Sequence, residues 1–302
     1  MDTSGRSNPP GGFLVRPSQT RFPPPERAPW AFTGGVEVGD AISPSGSGMS
    51  VSTPLRELSI VIPAYNEAER IDATLEQVHR FALSTIEDFE ILVVDDGSRD
   101  DTSARVEAFA RKDPRIRLLR NDRNRGKGFS VRHGALQASK AYVLFTDADN
   151  STPIEEVLNL APAAHPRALV IASRALDRSR MEVPQPWYRR LMGVSFRFIV
   201  QALVVPGIQD TQCGFKLFGR EVARAVFPDM TTDGFAFDVE VIARAQRLGF
   251  DVVEVPVRWI DDRRSRVSPI RDSLRMLRDV LRIRRQVRGL SPSAAPSRPD
   301  EA

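Results

Sequence analysis

The sequence predicts an α/β fold: a single Rossmann-like domain around a mostly parallel central sheet. Three observations point there. Short apolar, β-branched runs alternate with segments whose apolar residues recur at helical spacing, the rhythm of parallel strands joined by right-handed crossovers. Polar clusters fall at the carboxyl ends of three separate runs, where ligands of such sheets bind. Hydrophobic residues make up 41% and charged residues 27% of 302 positions, enough apolar material for one substantial domain with tails.

Residues 1 to 54 carry "SNPPGGF", "RFPPPERAPW" and "AISPSGSGMS", with no sustained apolar period, so they are expected to form a disordered leader. Residues 290 to 302 read the same way. The folded domain is expected over 55 to 270, followed by a basic amphipathic helix over 271 to 289. The first strand is "LSIVIPAY", and the helix after it places Ile71, Leu75, Val78 and Ala82 on one face. "FEILVVDDGS" forms a second buried strand, and its turn enters "RDDTSARVEAFARK", where Asp100 or Asp101 suits a helix cap. "RIRLLRND" is a third strand, "GKGFSVRHGALQAS" a helix after a glycine turn, "AYVLFTDAD" a fourth strand and "ALVIASR" another.

The fourth strand ends on Asp147 and Asp149, parted only by Ala148. Like charges this close raise each other's pKa unless something positive compensates. An Asp-x-Asp at a strand end suits Mg²⁺ or Mn²⁺, which take carboxylate oxygens and leave positions open for phosphate; a capping turn into "IEEVLNLA" is the plainer reading, and both can hold. Asp95 leaves an apolar strand as an acceptor suited to the N–H of a pyrimidine or purine ring or to a ribose hydroxyl, while Asp96 suits a structural role. Gly126, Lys127 and Gly128 open a helix, a place for phosphate, although the Walker spacing is absent. Arg132 and Arg174 add positive charge.

Several classes are excluded or disfavoured. The one cysteine, Cys213, rules out an internal disulfide framework and a cysteine-based zinc site, and fits a small buried hydrophobe. His79, His133 and His165 have no spacing suited to a metal or a triad, and no G-x-S-x-G elbow is present. No apolar run reaches the ~20 residues of a bilayer span, Leu191 to Val205 being broken by Arg197 and Gln201. A net charge of +4 fits anionic partners such as sugar nucleotides or phospholipid surfaces, but no motif for nucleic acid accompanies it.

"SIVIPAYNEAERI", "ILVVDDGSRDDT", "NRGKGFSVRHG", "FTDADNSTP", "IQDTQCGFKLF" and "GFAFDVEVIARA" together resemble family 2 inverting glycosyltransferases, in the branch of dolichyl-phosphate β-glucosyltransferases and polyprenyl-phosphate sugar synthases. The resemblance spans about residues 57 to 285. It implies a glycosyltransferase A-type fold, a nucleotide-sugar donor, a divalent metal and a polyprenyl-phosphate acceptor. By motif, Pro63, Tyr65 and Glu67 would surround the base and ribose, with Asp95 on the base. Asp147 and Ala148 would touch the nucleotide, and Asp149 would hold the metal with Asp147 beside it. Lys127 and Arg174 would face phosphates, and Arg266 in "DDRRSRVS" matches the phosphate-binding cation of a late basic loop.

Glucose from UDP-glucose is the expected donor; GDP-mannose, or a noncatalytic nucleotide- or phospholipid-binding module, are the alternatives. In place of a membrane span, 187 to 205 and the basic helix at 271 to 288 would hold the protein at the cytoplasmic face of a membrane. In that helix Leu274, Leu277 and Leu281 are read as one apolar stripe, flanked by Met276, Val280 and Ile283, with arginines opposite.

Overall fold

The computed structural model describes residues 55–176, 200–260 and 269–290. The leader, the tail beyond 290, most of 187 to 205, and Arg266 lie outside the described residues. Seven strands form one sheet: β1 (Glu57–Ala64), β2 (Asp88–Asp95), β3 (Ile116–Arg120), β4 (Tyr142–Thr146), β5 (Ala168–Ser173), β6 (Phe215–Gly219) and β7 (Asp251–Pro256). Their order is β3-β2-β1-β4-β6-β5-β7. β1 pairs in parallel with β2 and β4, β2 with β3, and β5 with β7, while β6 runs antiparallel between β4 and β5.

Both faces of the sheet are buried, which is why the parallel strands read as continuous apolar runs rather than alternating ones. Ile60, Ile62, Ile91 and Val93 face one layer, closed by Ile71, Leu75 and Val78 of α1 (Ile71–Thr85) and Val106 of α2 (Thr102–Ala110). Val61, Leu92, Val94 and Phe145 face the other, closed by Val131 of α3 (Lys127–Gln137) and, beyond a short α4 (Val157–Leu160), by α5 (Arg220–Val226), α6 (Phe237–Arg247) and α7 (Pro269–Val287).

The backbone sets one helix start, and two local expectations change. α1 starts at Ile71, because Asn66 takes a left-handed φ of 55° and the chain turns through 66–70 before it coils. The segment after Asp149 opens as a 3₁₀ turn at Ile154–Glu156 with no side-chain cap; Asp149 instead accepts from the Ser151 N–H at 3.0 Å. In α7, Val280, Ile283 and Val287 are buried in the core and Leu281 is exposed, so the last turns pack inward through the flanking residues, while the side chains of Leu274, Met276 and Leu277 lie outside the described residues. Arg278, Arg282, Arg285 and Arg288 stand exposed on its outer side.

Candidate active site

The site forms where β1, β2 and β4 end and where α3 begins. Asp96, buried just past β2, braces the approach to α3: its Oδ1 accepts from Asn121 Nδ2 (2.7 Å) and the Arg125 N–H (2.9 Å), and its Oδ2 from the Gly126 N–H (2.8 Å). Gly126 holds φ at 107°, and a Cβ there would meet the Asp233 carbonyl oxygen at 2.4 Å. Only glycine suits that turn. It sets Lys127 at the first turn of α3, with Nζ 2.7 Å from Asp147 Oδ1.

Asp147 is held from below by the segment leading into β6. Its N–H donates to the Gly214 carbonyl (3.1 Å), and its Oδ2 sits over Gly214 itself, where a Cβ would stand 1.9 Å away. Next to it, Lys216 is completely buried: Nζ donates to the Cys213 carbonyl at 2.7 Å and pairs with Asp238 of α6. Arg174, just past β5, is forked by Asp210, Nε to Oδ2 at 2.7 Å and Nη2 to Oδ1 at 2.9 Å, and lies over the Trp259 ring. Asp210 is fixed in turn, its N–H donating to Glu254 at 2.8 Å.

Three aspartates (147, 149, 238) thus meet two lysines (127, 216) in one crevice, and the electrostatics follow. Burial pushes the Asp149 carboxyl up, and the Asp147 charge pushes it further. Burial likewise raises Asp238, against the pull of Lys216. Burial alone would lower Lys127, but Asp147, Asp238 and Asp149 outweigh it and raise its pKa. Burial would raise Asp210 as well, yet the Arg174 guanidinium prevails and brings it down to about 2. The Cys213 thiol is driven up to about 12 by burial and by Asp210, as an inert core residue should be.

A hard cation fits this donor set. Asp149 is hydrogen-bonded to Ser151 alone among the described residues and feels the like charge of Asp147, which Lys127 offsets only in part and a metal would relieve further. Among the described residues no group of three or more His, Cys, Asp or Glu forms a protein-only cage, so further ligands would come from donor phosphate and water.

The other expected residues are placed as follows. Tyr65 is exposed at the end of β1, and Pro63 is half-buried one pleat earlier. The Glu67 N–H donates to Thr102 Oγ1 (2.8 Å), and its carboxylate is held by Arg70. Asp95 is fully buried; it accepts from the Ser98 N–H (2.9 Å) and Ser103 Oγ, with Arg120 Nε at 3.8 Å. Ala148 is buried, its carbonyl taking the Thr74 hydroxyl at 2.7 Å. Arg132 is turned away, onto the carbonyls of Phe227 and Pro228. His79 pairs with Asp113 and His165 with Asp251.

Sequence reasoning missed Gly214, Lys216 and Asp210 as parts of the site. A lysine inside the apolar stretch "CGFKLFG" was the available signal for Lys216.

Residues 59–227 match the model of the family described as "Glycosyl transferase family 2". The chain belongs to glycosyl transferase family 2. Within it, the chain is 37% identical over 240 residues to the dolichyl-phosphate beta-glucosyltransferase of Dictyostelium discoideum, covering 75% of this chain and 73% of that one. The human protein of the same name is 34% identical over 250 residues, covering 77% and 76%. That of Saccharomyces cerevisiae is 33% identical over 246 residues, covering 75% and 74%.

Among solved structures, glucosyl-3-phosphoglycerate synthase from Mycobacterium tuberculosis, in complex with Mn²⁺, UDP and phosphoglyceric acid, superposes with a TM-score of 0.57 at 21% identity, covering 79% of this chain and 80% of that one. Mannosyl-3-phosphoglycerate synthase from Rubrobacter xylanophilus gives 0.57 at 20% identity, covering 77% and 74%. These two likenesses speak for the fold. The glycosyltransferase A-type architecture expected from the motifs is the one the sheet order displays.

Proposed function

We propose that this family 2 glycosyltransferase moves glucose from UDP-glucose to a polyprenyl or dolichyl monophosphate, inverting the anomeric centre to give a β-linked lipid-phosphate sugar. The observation that carries the proposal is the Lys127–Asp147 pair set beside Asp149 at the end of β4, in a chain 37% identical to a dolichyl-phosphate beta-glucosyltransferase. Pro63, Tyr65, Glu67 and Asp95 are assigned to the base and ribose, and Asp147 and Ala148 to the nucleotide.

Asp149, with Asp147 behind it, would hold the metal, and Mg²⁺ or Mn²⁺ bound there supplies Lewis-acid neutralisation of the departing diphosphate. Lys127 adds a fixed cation at the N-terminal end of a helix, where backbone N–H groups also favour phosphate. Asp147 fixes the Lys127 side chain through its 2.7 Å contact. Arg174, already forked by Asp210, lends charge from behind and anchors the segment that carries Gly214.

Asp238 is the carboxylate placed to serve as a base toward a hydroxyl acceptor. Its ion pair with fully buried Lys216 assigns it to structure instead. That suits a phosphate monoester acceptor, whose second pKa near ~6 leaves it largely dianionic at neutral pH, so the attacking oxygen needs no deprotonation. The remaining work is to hold that oxygen in line behind the anomeric carbon. Arg266 is assigned to the acceptor phosphate.

Among the described residues no helix is long and apolar enough to cross a membrane. We place the enzyme at the cytoplasmic face of an anionic membrane through the arginine side of α7, each basic residue near such a surface contributing ~1 kcal/mol.

The test is incubation of purified protein and Mg²⁺ with UDP-glucose or GDP-mannose and a short polyprenyl phosphate, with the lipid product identified by mass. A hexosyl-lipid from UDP-glucose is expected. Product from GDP-mannose alone would move the donor, and nucleotide binding without turnover would favour a noncatalytic module.

A further inference from the structure

Beside the crevice, the outer face of α3 borders a hollow of about 360 Å³ whose lining includes Arg120, Asn121, Arg125, Phe129, Arg132 and His133. Three arginines line it, and the state of each matters. Arg125 lies over the Phe129 ring, its guanidinium carbon 4.0 Å from the ring centre, and reaches Asp122 only at 3.9 Å. Arg132 gives Nε and Nη2 to the carbonyls of Phe227 (3.0 Å) and Pro228 (2.6 Å), which fix its position without cancelling its charge. Arg120 is more than half exposed and stands 3.8 Å from buried Asp95.

The one carboxylate in the lining is Asp122, itself largely exposed, and buried Asp95 stands behind Arg120, so three cations meet one anion in the lining and one beneath it. A second hollow of about 420 Å³ adjoins it across Arg125, Phe129 and Arg132, and its lining adds Asp229 and Asp233 on the far side of the same two arginines.

His133 sharpens the chemistry. Asn121 donates its amide N–H groups to Asp96 (2.7 Å) and Ser130 (3.0 Å), so its Oδ1 must accept from His133 Nδ1 at 2.9 Å. Burial lowers the pKa of this imidazole, and with Nδ1 donating the neutral ring has only an acceptor left at Nε2, so the donors for an anion are those of the arginines. Phe129 and exposed Leu136 give one wall an apolar surface.

We infer that this hollow is a second anion site, lined by other residues than the donor crevice but bordering it where Arg120 meets Asp95, which takes a phosphate group between Arg120, Arg125 and Arg132. Guanidinium forks match phosphate oxygens, and the aromatic shelf under Arg125 pre-orders that fork. The wall is stiff, because Asp96 ties Asn121, the Arg125 N–H and the Gly126 N–H together, and that same loop leads directly into Lys127. The phosphate could belong to a soluble ester or to a lipid headgroup; the shared chemistry is the phosphate.

The experiment titrates the full chain with inorganic phosphate and, separately, with monomeric dihexanoyl phosphatidic acid, by calorimetry. Four proteins are compared: wild type, Arg125→Gln, Arg125→Lys and Lys127→Ala. Arg125 braces the loop through its backbone N–H, so replacing its side chain leaves the Asp96 contacts in place. Binding is expected to survive Lys127→Ala, to weaken about tenfold in Arg125→Gln, and to return only in part in Arg125→Lys, which restores the charge but not the stacked fork. Both probes binding alike would point to a soluble ester, and a clear preference for phosphatidic acid to a headgroup; either supports the site. Binding that is lost in Lys127→Ala but unchanged in Arg125→Gln, or no binding of either probe, would overturn the inference.

Discussion

Gly214 and Asp147 touch so closely that no side chain larger than hydrogen fits between them: a Cβ on Gly214 would stand 1.9 Å from Asp147 Oδ2. The glycine is thus the seat on which the acidic end of β4 rests. Gly214→Ala is expected to tilt Asp147 off Lys127, lowering kcat/KM for transfer about tenfold or more, as misplacement of a positioning group does. Weaker Mn²⁺ binding, measured by paramagnetic titration, should accompany that loss while the far-ultraviolet spectrum stays unchanged.

The buried Lys216–Asp238 pair yields a stability prediction. Lys216→Met leaves the Asp238 carboxylate buried without its partner, at a cost of about 3–5 kcal/mol, whereas Lys216→Met with Asp238→Leu should recover much of that loss. Denaturant unfolding of the single and double variants measures both values. Equal stabilities for the two variants would contradict the pairing.

Acid stability should depend on Asp210. Its folded pKa of about 2 lies below the ordinary 3.8, so the stability it contributes is full above about pH 4 and is lost as the pH falls through about 2. That contribution is on the order of 2 kcal/mol. Asp210→Asn should therefore be less stable than wild type at pH 7, with the gap closing between pH 4 and pH 2. A gap independent of pH would show that Asp210 does not act through its charge.

Deleting α7 would be a poor test of membrane contact, because Val280, Ile283 and Val287 are part of the core and their removal would damage the fold. Exchanging exposed Arg278, Arg285 and Arg288 for Gln leaves that packing intact. At ~1 kcal/mol each near an anionic surface, the triple exchange should reduce co-sedimentation with phosphatidylserine vesicles by about two orders of magnitude at low salt. Unchanged pelleting would remove α7 from the docking surface.

Much of this was legible in the chain because the informative strands are buried on both faces. "SIVIPA", "ILVVD" and "YVLFT" are uninterrupted apolar runs, and each delivers its polar residues at its carboxyl end, so Asp95, Asp147 and Asp149 could be placed from sequence. What escaped were partnerships between distant segments. Arg174 and Asp210 are 36 positions apart and Lys216 and Asp238 are 22 apart, and neither pattern nor propensity reveals which cation meets which anion. Antiparallel β6 was hidden for a related reason: a strand holding a buried lysine looks too polar for the centre of a sheet until its carboxylate is found. The arginines of α7 were visible, but which of its apolar residues face the core was settled only by packing.

The measurement that goes straightest to the centre is the affinity for UDP with and without Mn²⁺, by calorimetry, in wild type and in Asp149→Asn. Wild type is expected to bind UDP about tenfold or more tightly with the metal present, and the variant to bind equally in both conditions. A variant that keeps the full Mn²⁺ enhancement, or a wild type that shows none, would contradict a metal-assisted donor site at the end of β4.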